Sequence, residues 1–315
     1  MKKITIIGSG SVGSTISYSL MLMGLANEIC MLDINSKKAY GEALDIQQGT
    51  PFVTPCRVYS GEFKDAVNSD IVIITSGAAR KPGMSRLDLA QVNIDILKSI
   101  TPEITKYAPD ATYIIVSNPV DVLTYVFCKI SGIPEERIIG SGTILDTARL
   151  RAKLSRLYGI NERNVHAYVM GEHGDSSFVP WTLANISNVP IADCSSSIIR
   201  NDGTTYPEIN YEVIEDYVRN SGARVILDKG ATFYAVSASV CHICRSLMGG
   251  IDTPLTVSTM LHGEYGIDDV CLSLVNVVGR DGATSKLILP LSDKEIEALR
   301  KSAECLKDTI RKVEI

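Results

Sequence analysis

Ile4-Thr5-Ile6-Ile7-Gly8-Ser9-Gly10-Ser11-Val12-Gly13-Ser14 decides how the first half of this chain folds. The apolar, β-branched run at its start reads as a buried strand, and the spacing of Val12, Ile16, Leu20 and Met23 reads as a helix. Between them stands G-x-G-x-x-G. Gly8 makes the tight turn, Gly10 lets backbone approach a pyrophosphate, and Gly13 lets the helix pack on the strand. The start of that helix offers free N–H groups and the positive end of its dipole to phosphates. A second strand, Glu28-Ile29-Cys30-Met31-Leu32, ends at Asp33, about 20 residues past the last glycine, where a ribose-binding carboxylate is expected. With strand, glycines, helix, strand and acid in register, a dinucleotide site is preferred to a solvated acid at a strand end.

Outward from this unit, strands and helices alternate. The pattern predicts strands over 4–7, 29–32, 57–60, 70–75, 112–117 and 137–140, and helices over 13–24, 35–47, 88–107, 120–131 and 145–158. Such alternation implies a parallel sheet covered on both faces, with ligands bound beyond the carboxyl ends of its strands. The second half mixes short strands with longer helices. Residues 208–220 and 229–248 read as helices, 254–262 and 269–279 as strands, and Ser292-Asp293-Lys294-Glu295 as a capping box opening a last amphipathic helix. No linker separates the halves, so the expected boundary falls softly near 142, giving domains 1–142 and 143–315.

Composition narrows the function. The 315 residues are 45% hydrophobic and 21% charged, as in a soluble globular protein of about two domains. A formal charge of −5 argues against nucleic acid or an anionic membrane as the main partner. No apolar run reaches bilayer-spanning length. Met1-Lys2-Lys3 leads straight into a strand, so neither signal nor transit peptide is expected. The eight cysteines are scattered, unlike a disulfide framework. Cys241-His242-Ile243-Cys244 lies in a helical pattern without a second ligand pair, so small thiols are preferred there to a metal site. A cytoplasmic protein without a metal is the expectation.

Chemistry gathers after the strands. Arg80-Lys81-Pro82-Gly83-Met84-Ser85-Arg86 reads either as a mobile lid over the cofactor site or as a solvated basic loop. Asn118, in Ser117-Asn118-Pro119-Val120-Asp121, could hold a carboxamide or carbonyl at a strand end, or serve only as a turn residue. Asp146 and Arg149 are i,i+3 on one helix face. An alternating strand from Val165 ends in Gly171-Glu172-His173-Gly174-Asp175, and glycines around a histidine suit close approach by another group.

These pieces together resemble the L-lactate/malate dehydrogenase family over essentially the whole chain. The resemblance implies an α/β fold, a Rossmann doubly wound parallel sheet followed by a mixed α+β catalytic domain. It implies NAD as cofactor, held through Gly8, Gly10, Val12, Gly13, Asp33, Thr75, Gly77, Asn118 and Val236. His173 would be the acid/base, Asp146 its orienting partner, Arg149 the grip on a substrate carboxylate, and Arg86, carried by the closing loop, the polariser of the ketone. A histidine suits proton exchange near neutral pH, and a planar guanidinium matches a carboxylate with two parallel hydrogen bonds.

The substrate is legible in two ways. Arg80 stands where lactate-type members usually carry glutamine and malate-type members arginine, and an arginine facing pyruvate's methyl would lack a partner. Gly140-Ser141-Gly142-Thr143, Glu172, Ser176-Ser177, Trp181 and Thr232 follow the lactate pattern, which is preferred, with malate dehydrogenase the alternative. Arg151 and His166 match the pair that binds fructose 1,6-bisphosphate between subunits of activatable bacterial enzymes, or are an ordinary surface pair. A homodimer or homotetramer is implied. A nucleotide-sensing protein on a borrowed fold is the non-enzymatic alternative, disfavoured by the set His173, Asp146, Arg149 and Arg86.

Overall fold

The computed structural model describes residues 2–78 and 83–315. The first half runs β1 (Lys3–Ile7), α1 (Ser11–Leu22), β2 (Glu28–Leu32), α2 (Ser36–Gln48), β3 (Arg57–Ser60), β4 (Ile71–Ile74), α3 (Arg86–Tyr107), β5 (Thr112–Ile115), α4 (Val120–Ile130) and β6 (Ile138–Gly140). These strands are parallel in the order β3-β2-β1-β4-β5-β6. Every residue of β4 and β5 is buried, as a sheet covered on both faces requires. The strand order reverses between β1 and β4, which opens a crevice beyond their carboxyl ends where such folds bind ligands.

The second half contains α5 (Ile144–Tyr158), β7 (Val165–His166), β8 (Asn185–Ile186), β9 (Val189–Pro190), α6 (Cys194–Ser197), α7 (Tyr211–Lys229), α8 (Tyr234–Gly249), β10 (Thr253–His262), β11 (Asp268–Gly279), β12 (Gly282–Lys286) and α9 (Asp293–Ile310). β10, β11 and β12 do not build a sheet of their own. β10 lies antiparallel against β6 through Ser258 and Gly140, so one sheet of nine strands crosses residue 142. Gly140 permits the contact, because a Cβ there would fall 2.3 Å from Thr124 Oγ1 and 2.9 Å from Ser258 Cβ.

Two cores flank the sheet. On one side Ile4, Ile6, Ile16 and Leu20 pack with Val240, Ile243 and Leu247, so α8 from the second half covers the same face as α1. On the other, α3 and α4 share a core with β11 and α9. Three sequence expectations change. The alternating strand from Val165 shrinks to β7, and Met170 and Gly171 make only isolated bridges to Phe178 and Ser273. α7 runs on to Lys229, although only Ile214 and Val218 on it are buried, so its last turns lack the apolar face that marks a helix in sequence. Arg86 is the first residue of α3, not part of the loop, because Ser85 just before it caps the helix in a capping box with Asp88.

Candidate active site

The crevice between β1 and β4 is built for close backbone approach. Gly8 has φ +105°, donates its N–H to Leu32 O at 2.7 Å, and a Cβ on it would sit 2.7 Å from Ser76 N. A Cβ on Gly13 would lie 1.8 Å from Gly8 O, so only glycine lets α1 seat on this turn. At Gly10, by contrast, nothing lies within 4 Å of where a Cβ would be, and no side chain caps the helix start there. Val12 packs half-buried on the core beneath. Asp33 is held by two backbone donors, Ser9 N at 2.7 Å and Asn35 N at 2.8 Å. An open helix start, a bare glycine and an oriented carboxylate fit a dinucleotide.

β4 and β5 close this crevice. Thr75 Oγ1 donates toward Gly8 O (2.9 Å) and Ile7 O (3.1 Å), fastening the end of β4 to the glycine turn. Gly77 leaves room for Asn93, a buried side chain of α3 that accepts from Ala78 N at 2.7 Å and donates to Asn118 O at 2.6 Å. Sequence reasoning passed over Asn93, which sits inside a regular helical pattern. Asn118 precedes a cis peptide bond to Pro119, and its side chain is exposed.

The titratable centre is assembled by α5 and the turn around His173. His173 Nδ1 lies 2.6 Å from Asp146 Oδ2, and Asp146 Oδ1 accepts from Arg149 Nη1 at 2.9 Å. Helical spacing puts Asp146 and Arg149 together on α5, and the positive φ of Gly171 (+90°) turns the chain so that His173 reaches them. A Cβ at Gly171 would lie 2.7 Å from Ser302 Oγ on α9. The negative charge of Asp146 raises the His173 pKa to about 9, against the opposing effect of burial. Burial works to raise the Asp146 carboxyl, but the charge and hydrogen bond of His173, then of Arg149, outweigh it and hold the group below its ordinary value. Arg149 is mostly buried but stays partly open, and a Cβ at Gly222 on α7 would touch its Nη2 at 3.4 Å, so the glycine keeps that contact off the guanidinium. A protonated imidazole beside a half-buried guanidinium can donate a proton and bind an anion at one place.

The other expected residues fall at varied distances from this centre. Arg86 is brought to the same turn by an exposed ion pair, its Nη1 lying 2.7 Å from Asp175 Oδ2. Thr232 is half-buried in the turn ahead of α8, and Val236 on α8 packs into the core that also receives Val12. Arg80 lies outside the described residues. Arg151 donates Nε–H to Ala167 O at 3.0 Å, its guanidinium 5.1 Å from the Tyr168 ring, and His166, the residue before Ala167, is exposed in β7. Cys241 and Cys244 are buried free thiols, and burial raises both. Among the described residues, no group of three His, Cys, Asp or Glu is arranged to hold a metal.

The structure also links motif residues through bonds that their spacing does not reveal, and adds Ser302, which no motif contains. Asp121 accepts the His173 backbone N–H, and Ser302 of α9 accepts that of Glu172 at 2.8 Å, while Ser176 bonds to Glu172. A cavity of about 1010 Å³ lined by Asp70, Lys106, Arg137 and Arg280 lies at the opposite, amino-terminal end of the parallel strands and holds none of these groups.

Comparison with known proteins covers the whole chain. A family model described as lactate/malate dehydrogenase, NAD binding domain, matches residues 2–140, and one described as lactate/malate dehydrogenase, alpha/beta C-terminal domain, matches residues 143–315. The L-lactate dehydrogenase of Acetivibrio thermocellus is 45% identical over 322 residues, covering 100% of this chain and 98% of that protein. That of Thermoanaerobacterium saccharolyticum is 45% identical over 315 residues, 100% of both. Among solved structures, MGS-M5, a lactate dehydrogenase from a Medee basin deep-sea metagenome library, superposes with a TM-score of 0.93 at 36% identity, covering 99% of this chain and 98% of that one. The minor L-lactate dehydrogenase of Enterococcus mundtii gives 0.93 at 33% identity, covering 100% and 99%.

Proposed function

Since the chain belongs to the lactate/malate dehydrogenase family, an NAD-dependent one, we propose that it interconverts pyruvate and L-lactate. The observation that carries the reading is the chain of contacts from Arg149 through Asp146 to His173. Arg149 binds the substrate carboxylate with its free edge. His173, protonated and held in one tautomer by Asp146, gives its Nε2 proton to the keto oxygen during reduction and takes it back during oxidation. Arg86 leaves Asp175 and turns toward that oxygen, where it stabilises the developing negative charge, and Asn118 helps hold oxygen and nicotinamide. Gly8, Gly10, Val12, Gly13, Asp33, Thr75, Gly77 and Val236 hold the cofactor, which when bound supplies or accepts the hydride. Asp33 repels a 2′-phosphate, so NAD is preferred to NADP. Residues 1–142 form the cofactor-binding domain and 143–315 the catalytic domain, with Arg86 and Val236 each reaching across to the other's ligand.

Full-length relatives named L-lactate dehydrogenase support pyruvate as substrate. Arg80 supports a second reading, oxaloacetate, whose extra carboxylate would pair with it. The deciding experiment compares kcat/KM for the two keto acids, by loss of NADH absorbance, before and after Arg80→Gln. A preference for pyruvate in the native enzyme supports the first reading. A preference for oxaloacetate that Arg80→Gln reverses replaces it with the second. Activity on neither overturns both.

The proposal extends to assembly, regulation and location. A dimer or tetramer of identical chains would cover exposed apolar residues such as Tyr18, Leu22, Tyr40, Leu44 and Leu227 on α1, α2 and α7. Arg151 and His166, from more than one copy, would bind fructose 1,6-bisphosphate. Among the described residues no helix is long and apolar enough to cross a membrane, and the cytoplasm is the proposed location.

A further inference from the structure

Asp121 is a buried ionisable group that the proposed reaction leaves unused. It stands in the first turn of α4, just after Asn118 and Pro119, and is 2% exposed. Its Oδ2 accepts the backbone N–H of His173 at 2.8 Å, which joins the segment bearing Asn118 to the turn bearing His173. Its Oδ1 and the buried hydroxyl of Ser258 on β10 have no other partner and face each other, and the hydroxyl favours the charged carboxylate. A buried carboxylate held by one backbone N–H and one hydroxyl still carries a desolvation cost, so a reason for an acid at this position is needed.

We propose that Asp121 is a positioning residue for the proton transfer: its buried carboxylate fixes the backbone of His173 to the start of α4 and, as a second anion beside Asp146, favours the protonated imidazole. The inference rests on the reading of His173 as proton donor given above. Burial pushes the Asp121 carboxyl up to about 6, while the Ser258 hydroxyl and the His173 N–H favour the charged form. Its charge is among those that raise His173. The groups facing the imidazole are Asp146 and Arg149 from α5 and Asp121 from α4. Those facing Asp121 are His173 and Glu172 from the turn, Ser258 from β10 and the Cys271 thiol from β11.

Asp121→Asn keeps an oxygen to accept from His173 N but removes the charge, and Asp121→Ala removes both. The test uses the full-length enzyme: kcat and KM for pyruvate across the neutral and alkaline range, with NADH affinity from fluorescence. Asp121→Asn is expected to move the alkaline limb of kcat/KM down by about one pH unit. Asp121→Ala is expected to lower kcat as well, by about tenfold, and NADH affinity is retained in both. A limb that stays in place in Asp121→Asn overturns the proposal, as does a native kcat in a folded Asp121→Ala enzyme. If Asp121→Ala does not fold, the limb in Asp121→Asn decides alone. If the native chain oxidises no NADH with pyruvate, the functional reading fails, and an NMR titration of the His173 imidazole tests the positioning role without turnover. A lower midpoint in Asp121→Asn then supports it, and equal midpoints overturn it.

Discussion

At the residue scale the acid–base pair sets the pH behaviour. The folded-state pKa of His173, about 9, lies above its ordinary 6.5. Its contribution to stability is therefore complete below the unfolded value and is lost as pH rises through about 9. Asp146 works in the opposite sense: its contribution is present above 3.8 and is lost as pH falls through its lowered folded value. Pyruvate reduction, which needs the protonated imidazole, should hold through neutrality and decline above about pH 9, with lactate oxidation rising over the same interval. Steady-state rates in both directions across pH check this. His173→Asn should lower kcat by about 10²-fold to 10⁴-fold while a fluorescence titration still shows NADH binding. Arg149→Lys should raise KM for pyruvate, since the loss of paired, charge-assisted hydrogen bonds costs about 1.5–3 kcal/mol. The sequence made this triad legible because Asp146 and Arg149 share a helical face and His173 sits among glycines. It could not show Asp121 or Asn93 bonding across elements, because neither contact has a local spacing. Nor could it show that Arg86 pairs with Asp175, a meeting of two distant segments.

At the element scale the glycine turn makes the sharpest demand. Gly13→Ala places a methyl against Gly8 O, a backbone atom that cannot move aside, and should cost about 1–3 kcal/mol along with weaker NADH binding. Thermal unfolding and a fluorescence titration measure the two effects. α9 carries Ser302 to the turn before His173, and its start is fixed by the reciprocal bonds of Ser292 and Glu295. Ser292→Ala should therefore lower stability by about 1 kcal/mol, read from denaturant midpoints, with little change in kcat. Strands β1, β2, β4, β5 and β6 were legible within a residue or two because buried parallel strands are continuous apolar runs, whereas β3, with only Val58 buried, was legible by its place in the alternation. The late turns of α7 were not, since Val225, Ile226 and Leu227 lie exposed on a helix with no buried stripe beneath them.

At the scale of the whole molecule, those exposed side chains bear on assembly. Sedimentation should find a dimer or tetramer, and Leu22→Glu should shift it toward smaller species if α1 lies at the contact. Added fructose 1,6-bisphosphate should lower the apparent KM for pyruvate, and Arg151→Ala should abolish that response. The sheet has a different consequence. β6 and β10 meet edge to edge, so the two halves are seamed rather than tethered. Severing the chain at 142 would not free two independent modules. Each fragment produced alone would leave the short β6–β10 seam at Gly140 and Ser258 without its partner, and should self-associate through that raw margin.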